Sequence, residues 1–249
     1  MTLGKAHVLP RVLLYIIIKA MRSNSLAKIT PQTEAKLLEL ARRQRYQEGL
    51  EIIRRFLRKY GPINEILIQK AFFLYHYAAT LMYGDTKALR QNSSIQKKFH
   101  QALIICREII RKHRNNIKDK NVLNARLYLA QIYAMIGQEK RARRFAQQTL
   151  KYQPSALAVE RAADVYFRTG NLAGAAALYR ETVKKAENPA QKLMAQIGLA
   201  VTYKRMGKTI VATKQARIAA TFLKQADKNM NTTLLGESLR AHFPNLNEP

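Results

Sequence analysis

The chain has 249 residues, with 44 Lys and Arg against 16 Asp and Glu, one cysteine and no tryptophan. Its 10 glycines and 7 prolines supply too few chain reversals for a sandwich or barrel of many short strands; a hydrophobic content of 47% excludes low-complexity disorder, and a lone cysteine excludes an intramolecular disulfide framework and fits a reducing compartment. The net charge of +28 calls for acidic partners and leaves their kind open.

Residues 1–33 hold no acid and the bases Lys5, Arg11, Lys19, Arg22 and Lys28. The apolar run Val12-Leu13-Leu14-Tyr15-Ile16-Ile17-Ile18 falls far short of the roughly 20 residues that span a bilayer. Lys19 and Arg22 stand where the uncharged stretch leading to a signal cleavage site should continue. Pro10 suits the first turn of a helix over about 10–22. The expected role of this helix is a cap over the first core layer, with a basic interfacial anchor as the alternative. Met21 is an alternative start.

Residues 34–222 read as an array of helical hairpins. The first unit carries Leu37, Leu40, Tyr46, Gly49, Ile53, Phe56, Leu57 and Pro62; the second carries Tyr77-Ala78 and Leu81, a polar insertion over 84–94, then Ala102, Cys106, Ile109 and Ile110. Three further units repeat one pattern. It runs Leu129-Ala130, Tyr133, Gly137, Ala142, Ala146, Leu150, Pro154, then Ala162-Ala163, Tyr166, Gly170, Ala175, Tyr179, Val183, Pro189, then Leu199-Ala200, Tyr203, Gly207, Ala212, Ala216, Ala220. Each unit reads as two antiparallel helices joined at the glycine, which accepts the left-handed backbone that follows a helix end. Residues 223–249 read as a last helix, with Leu234, Leu235 and Leu239 closing the stack, and a frayed tail.

This pattern resembles the tetratricopeptide repeat over about 35–222, most closely over 123–222. The resemblance implies an all-α fold, an α-solenoid of about five such repeats with capping helices at both ends. It also implies an inner groove lined by the first helix of each unit: Tyr75, Met82 and Tyr83; Leu127, Gln131 and Met135; Glu160, Asp164, Phe167 and Arg168; Ile197, Val201, Lys204 and Arg205. The N-terminal half of that lining is apolar and suits a helix or an extended peptide, unless the N-terminal segment or a loop fills it. Relatives that grip chaperone C-terminal carboxylates use Lys and Asn on these helices. Here Leu127, Gln131, Glu160 and Asp164 occupy the corresponding stretches, so that clamp is not expected.

A second surface follows from helical spacing alone. The second helices carry bases on their outward side: Arg54 and Arg58; Arg107 and Arg111; Arg141, Arg144 and Lys151; Arg180 and Lys184; Arg217. Residues four apart share a face. Arginine in this setting suits bidentate phosphate or carboxylate contacts. Aromatic residues are not interleaved with these bases, so sequence-specific reading of single strands is not expected.

No sequence motif for catalysis, phosphate cradling or metal binding occurs. The histidines His7, His76, His100, His113 and His242 are scattered, and Cys106 with His113 is too small a set for zinc. The expectation is therefore a cytoplasmic, non-enzymatic scaffold without cofactor, metal or small-molecule substrate, binding an acidic protein or a peptide. Alternatives are an RNA- or ribonucleoprotein-associated factor held by the outer bases, and a membrane-peripheral adaptor attached through Val12 to Ile18.

Overall fold

The computed structural model describes residues 30–81, 92–225, 232–244 and 246. The expected N-terminal helix, with its roles as cap or anchor, lies outside them. Among the described residues the fold is all-α, with eleven helices and no strand: α1 Pro31–Arg42, α2 Tyr46–Tyr60, α3 Asn64–Leu81, α4 Ser93–Lys112, α5 Lys120–Met135, α6 Glu139–Tyr152, α7 Ala156–Arg168, α8 Leu172–Lys185, α9 Pro189–Arg205, α10 Thr209–Gln225 and α11 Thr232–His242. None of the described helices is long and apolar enough to cross a membrane. The chain divides into two compact units between Tyr128 and Leu129, within α5.

In the first unit, Thr30 caps α1 by accepting from the Thr33 amide at 3.2 Å, and Pro31 takes the first turn, where no amide partner is needed. Leu37, Leu40 and Ala41 are its buried side. The joint to α2 is Gln44, not Gly49: Gln44 has φ 58°, and the Arg45 amide reaches back to the Leu40 carbonyl at 2.8 Å in the double-bonded helix ending that a glycine normally serves. Gly49 instead lies inside α2 against the Phe73 ring. Gln44→Gly is therefore expected to stabilise the unit by roughly 1 kcal/mol, the cost of a side chain in left-handed backbone, read as a higher urea midpoint.

α3 is buried on nearly every side, from Ile66 to Ala78. Its Phe72, Phe73, Tyr75 and His76 form an aromatic layer with Tyr46 of α2, Phe99 of α4 and Tyr128 of α5. Asn121 at the start of α5 donates to Glu65 of α3 at 3.4 Å, so the first helices of neighbouring hairpins lie side by side here. The polar insertion is shorter than expected, since Asn92 caps α4 through the Ser94 and Ile95 amides and Ser93 and Ser94 are helical. Residues 82–91 lie outside the described residues. On α4, Ala102, Cys106 and Ile109 are fully buried.

The second unit keeps one turn geometry through three hairpins. Gly137, Gly170 and Gly207 have φ 76°, 74° and 75°, and the amides of Gln138 and Lys208 bond the Tyr133 and Tyr203 carbonyls at 2.8 and 3.0 Å. Five residues after each glycine stands a buried alanine, Ala142, Ala175 or Ala212. In the first unit Gln44 and Gly49 hold the same offset, which places that hairpin in the same frame. The last buried position of each second helix falls one residue earlier than expected, at Thr149, Thr182 and Ala219 instead of Leu150, Val183 and Ala220. Threonine is tolerated there because Thr149 and Thr182 donate to the Phe145 and Leu178 carbonyls at 2.9 and 3.0 Å, leaving no orphaned hydroxyl.

Small residues let these helices approach closely. Ala163, Ala175, Ala176, Tyr179, Ala195 and Leu199 form one core cluster joining α7, α8 and α9. A methyl group on Gly198 would stand 2.5 Å from the Tyr179 ring. α9 packs on α7, α8 and α10, and α11 packs on α9 and α10 with Leu239 and Phe243 buried, so each hairpin of this unit stacks on the next and a final helix covers the end.

Candidate partner-binding surfaces

The first helices of the second unit carry most of the residues expected to line a groove. Arg168 of α7 reaches Met135 Sδ of α5 at 3.2 Å. Arg205 of α9 donates to the Phe167 carbonyl of α7 at 3.2 Å, with its guanidinium 5.0 Å over the Phe167 ring. The three helices thus lie side by side. Gln131, Glu160 and Ile197 are buried; Met135, Asp164, Phe167, Arg168 and Val201 are half-buried. Only Lys204 and Arg205 are exposed, and Lys204 is held by the His242 carbonyl and the Phe243 ring. In the first unit Tyr75 and Leu127 are interior residues, 5% and 2% exposed. Met82 and Tyr83 lie outside the described residues.

This face is polar where it is buried. Tyr179 donates its hydroxyl to Asp164. Burial raises the Asp164 carboxyl above its ordinary range, while the Tyr179 hydrogen bond, Arg168 and Arg161 pull it back. Burial, and next the charge of Asp164, push Glu160 up to about 8, against the opposing pull of Arg161 and Gln191. Among the described residues, Glu160 Oε2 and Gln131 Oε1 have no hydrogen-bond partner. Sequence reasoning placed Glu160 and Asp164 but missed Arg161, Tyr179 and Gln191. The signal was available, since Arg161 follows Glu160 in an otherwise apolar stretch and is fully buried, a setting in which a cation requires nearby acceptors.

Cys106 is fully buried, which pushes its thiol well above the ordinary range and keeps it un-ionised. His113 closes α4 and is hydrogen-bonded to Asn64. Among the described residues, no group of three or more His, Cys, Asp and Glu could hold a metal ion.

The second helices present the opposite picture. Counting from Gly49, Ala102, Ala142, Ala175 and Ala212, the fifth following residue is Arg54, Arg107, Gln147, Arg180 or Arg217, and the ninth is Arg58, Arg111, Lys151, Lys184 or Thr221. All ten are exposed, as are Arg141 and Arg144. The nearby acids mostly engage other bases: Glu108 pairs with Lys112 at 2.8 Å, Glu139 with Arg143 at 3.5 Å and Glu181 with Lys185 at 2.6 Å. Glu51 holds both Arg54 and Arg55, at 2.5 and 3.3 Å. Among the described residues no ion pair engages Arg58, Arg111, Arg141, Arg144, Lys151, Arg180, Lys184 or Arg217. Apart from Glu51, which also holds Arg54, these intrahelical pairs engage bases beside the stripe.

Compared with known proteins, the chain matches no family model, and no curated protein matches it.

Proposed function

We propose that the chain is a non-enzymatic adaptor of the tetratricopeptide type that binds an acidic protein partner through the outer faces of its second helices. The observation that carries this reading is the recurrence of exposed bases at the same two hairpin positions, while Glu108, Glu139 and Glu181 are tied to bases outside the stripe and Glu51 alone of these acids holds a stripe residue, Arg54. Arginine dominates these positions, and its planar fork suits paired contacts with carboxylates. Most of the groove-lining set is buried or half-buried, so an arriving partner meets the outer bases more readily than the residues between the first helices. Helical hairpins serve this role by fixing side chains on rigid elements, so that a partner meets charge in a defined spacing.

The test is charge reversal. The fourfold variant Arg54→Glu, Arg58→Glu, Arg107→Glu and Arg111→Glu is expected to weaken partner capture roughly 10-fold or more, with the helical circular dichroism unchanged because all four side chains are exposed. Capture by the unaltered chain should fall with added salt and survive nuclease treatment. Loss of capture on nuclease treatment would transfer the reading to an RNA-associated factor held by the same bases. Capture indifferent to both salt and charge reversal would contradict it.

A further inference from the structure

Two of the basic faces contain aliphatic side chains that the fold leaves in water. On α4, Lys97, His100, Ile104, Arg107 and Arg111 follow one another by three or four residues and are all exposed, so they share one face. Ile104, 49% exposed, stands in the middle of it. On α10, Ile210, Lys214 and Arg217 form the same arrangement, with Ile210 at 88% exposure and Val211 at its border. The described part of α10 contains no acid, and the single acid of α4, Glu108, is paired with Lys112. Each face belongs to a different unit, and each by itself sets exposed bases beside an exposed isoleucine.

We propose that these faces take an acidic amphipathic segment of a protein, in which an aliphatic side chain is flanked by carboxylates one helical turn away. The inference rests on the reading of the basic faces given above and names the partner's chemistry. Charge complementarity supplies the carboxylates. The isoleucines supply the second requirement, since covering an exposed aliphatic side chain is favourable and only a partner with its own apolar group there gains it. A nucleic acid does not meet this requirement well: its phosphates need bases alone, and its bases stack on aromatic or guanidinium planes, not on isoleucine. Spacing fits as well, because Ile104 and Arg107, or Ile210 and Lys214, are neighbours on the helix surface at about 5–6 Å between β-carbons, the spacing of a Leu and a Glu one turn apart on a facing helix.

The experiment titrates the full chain with three fluorescently labelled probes of equal charge: a helical peptide of glutamates with leucine at every third or fourth place, polyglutamate, and an oligouridylate. The chain is expected to bind the Glu/Leu peptide about tenfold more tightly than polyglutamate. The double variant Ile104→Ser, Ile210→Ser should erase that difference and leave the polyglutamate affinity unchanged; both positions are exposed, so folding is not at stake. Equal affinity of the unaltered chain for the two peptides, or a preference of the double variant undiminished from that of the unaltered chain, overturns the inference while the basic-face reading stands. Tighter binding of the oligouridylate than of the Glu/Leu peptide overturns it in favour of nucleic acid. If no probe binds, the basic-face reading fails and this inference with it.

Discussion

Gly49→Ala is expected to destabilise the first unit by about 2–3 kcal/mol, although alanine in a helix interior normally gains about 1 kcal/mol over glycine. The reason is contact. An added methyl group would stand 1.9 Å from Phe73 Cε1 and 2.5 Å from Cδ1. Phe73 is 1% exposed and edge-on to Tyr46 with ring centroids 6.0 Å apart, so it has nowhere to retreat. Relief requires a shift of α2 from α3 and disturbs the aromatic layer that joins Phe72 to Tyr128. Urea unfolding followed by circular dichroism, with hydrogen exchange on α2 and α3 to localise the loss, checks this. A second substitution, Phe73→Leu, removes the ring edge and should make Gly49→Ala much less costly than in the native background. An alanine variant as stable as the native chain would show that α2 and α3 do not pack through this contact.

The second large effect concerns Glu160 and depends on pH. Its folded-state value of about 8 lies above the ordinary carboxyl value of 4.5, so the folded chain holds this proton more tightly than the unfolded chain does. The sign follows from linkage: the stabilising proton is fully in place below about pH 4.5, and stability declines as pH rises from there to about 8, after which this group adds no further slope. The difference across that window is on the order of 4 kcal/mol. Asp164, also raised by burial, acts in the same direction. Glu160→Gln keeps the shape and removes the titration. The variant is therefore expected to match the native chain in acid and to exceed it in stability above neutrality, and the two urea-midpoint curves should separate as pH rises. Parallel curves would mean that Glu160 is solvated in the folded chain.

Much of this fold is legible in the sequence because the hairpin turn imposes a conformational demand. Gly137, Gly170 and Gly207 satisfy positive φ, and a buried alanine five residues later repeats the signal three times. The first hairpin is obscured because Gln44 takes the same backbone at a cost and Gly49 answers a different need, the Phe73 ring. A hydrophobic pattern alone also favours Leu150 and Val183 over Thr149 and Thr182, since the back-bonded hydroxyl that makes threonine a core residue is a tertiary detail. The outer bases are legible for the opposite reason: on an amphipathic second helix, charged side chains four apart mark the face turned away from the buried alanines. Ile104 and Ile210 are not, because an isoleucine in an amphipathic helix reads as core wherever it stands. The face between the first helices is half legible: spacing gives its membership but not its burial, which depends on neighbouring hairpins.

Lysine labelling tests the central claim most directly. The full chain is reacted with an amine-acylating reagent, alone and saturated with polyglutamate, and the modified lysines are quantified by mass spectrometry. The account predicts that the probe shields Lys151 and Lys184, the exposed lysines of the basic stripe in the second unit, and leaves Lys204 on the first helix α9 reacting as it does in the free chain. Shielding of Lys204 with Lys151 and Lys184 as reactive as before would contradict it and place the acidic ligand on the opposite set of helices.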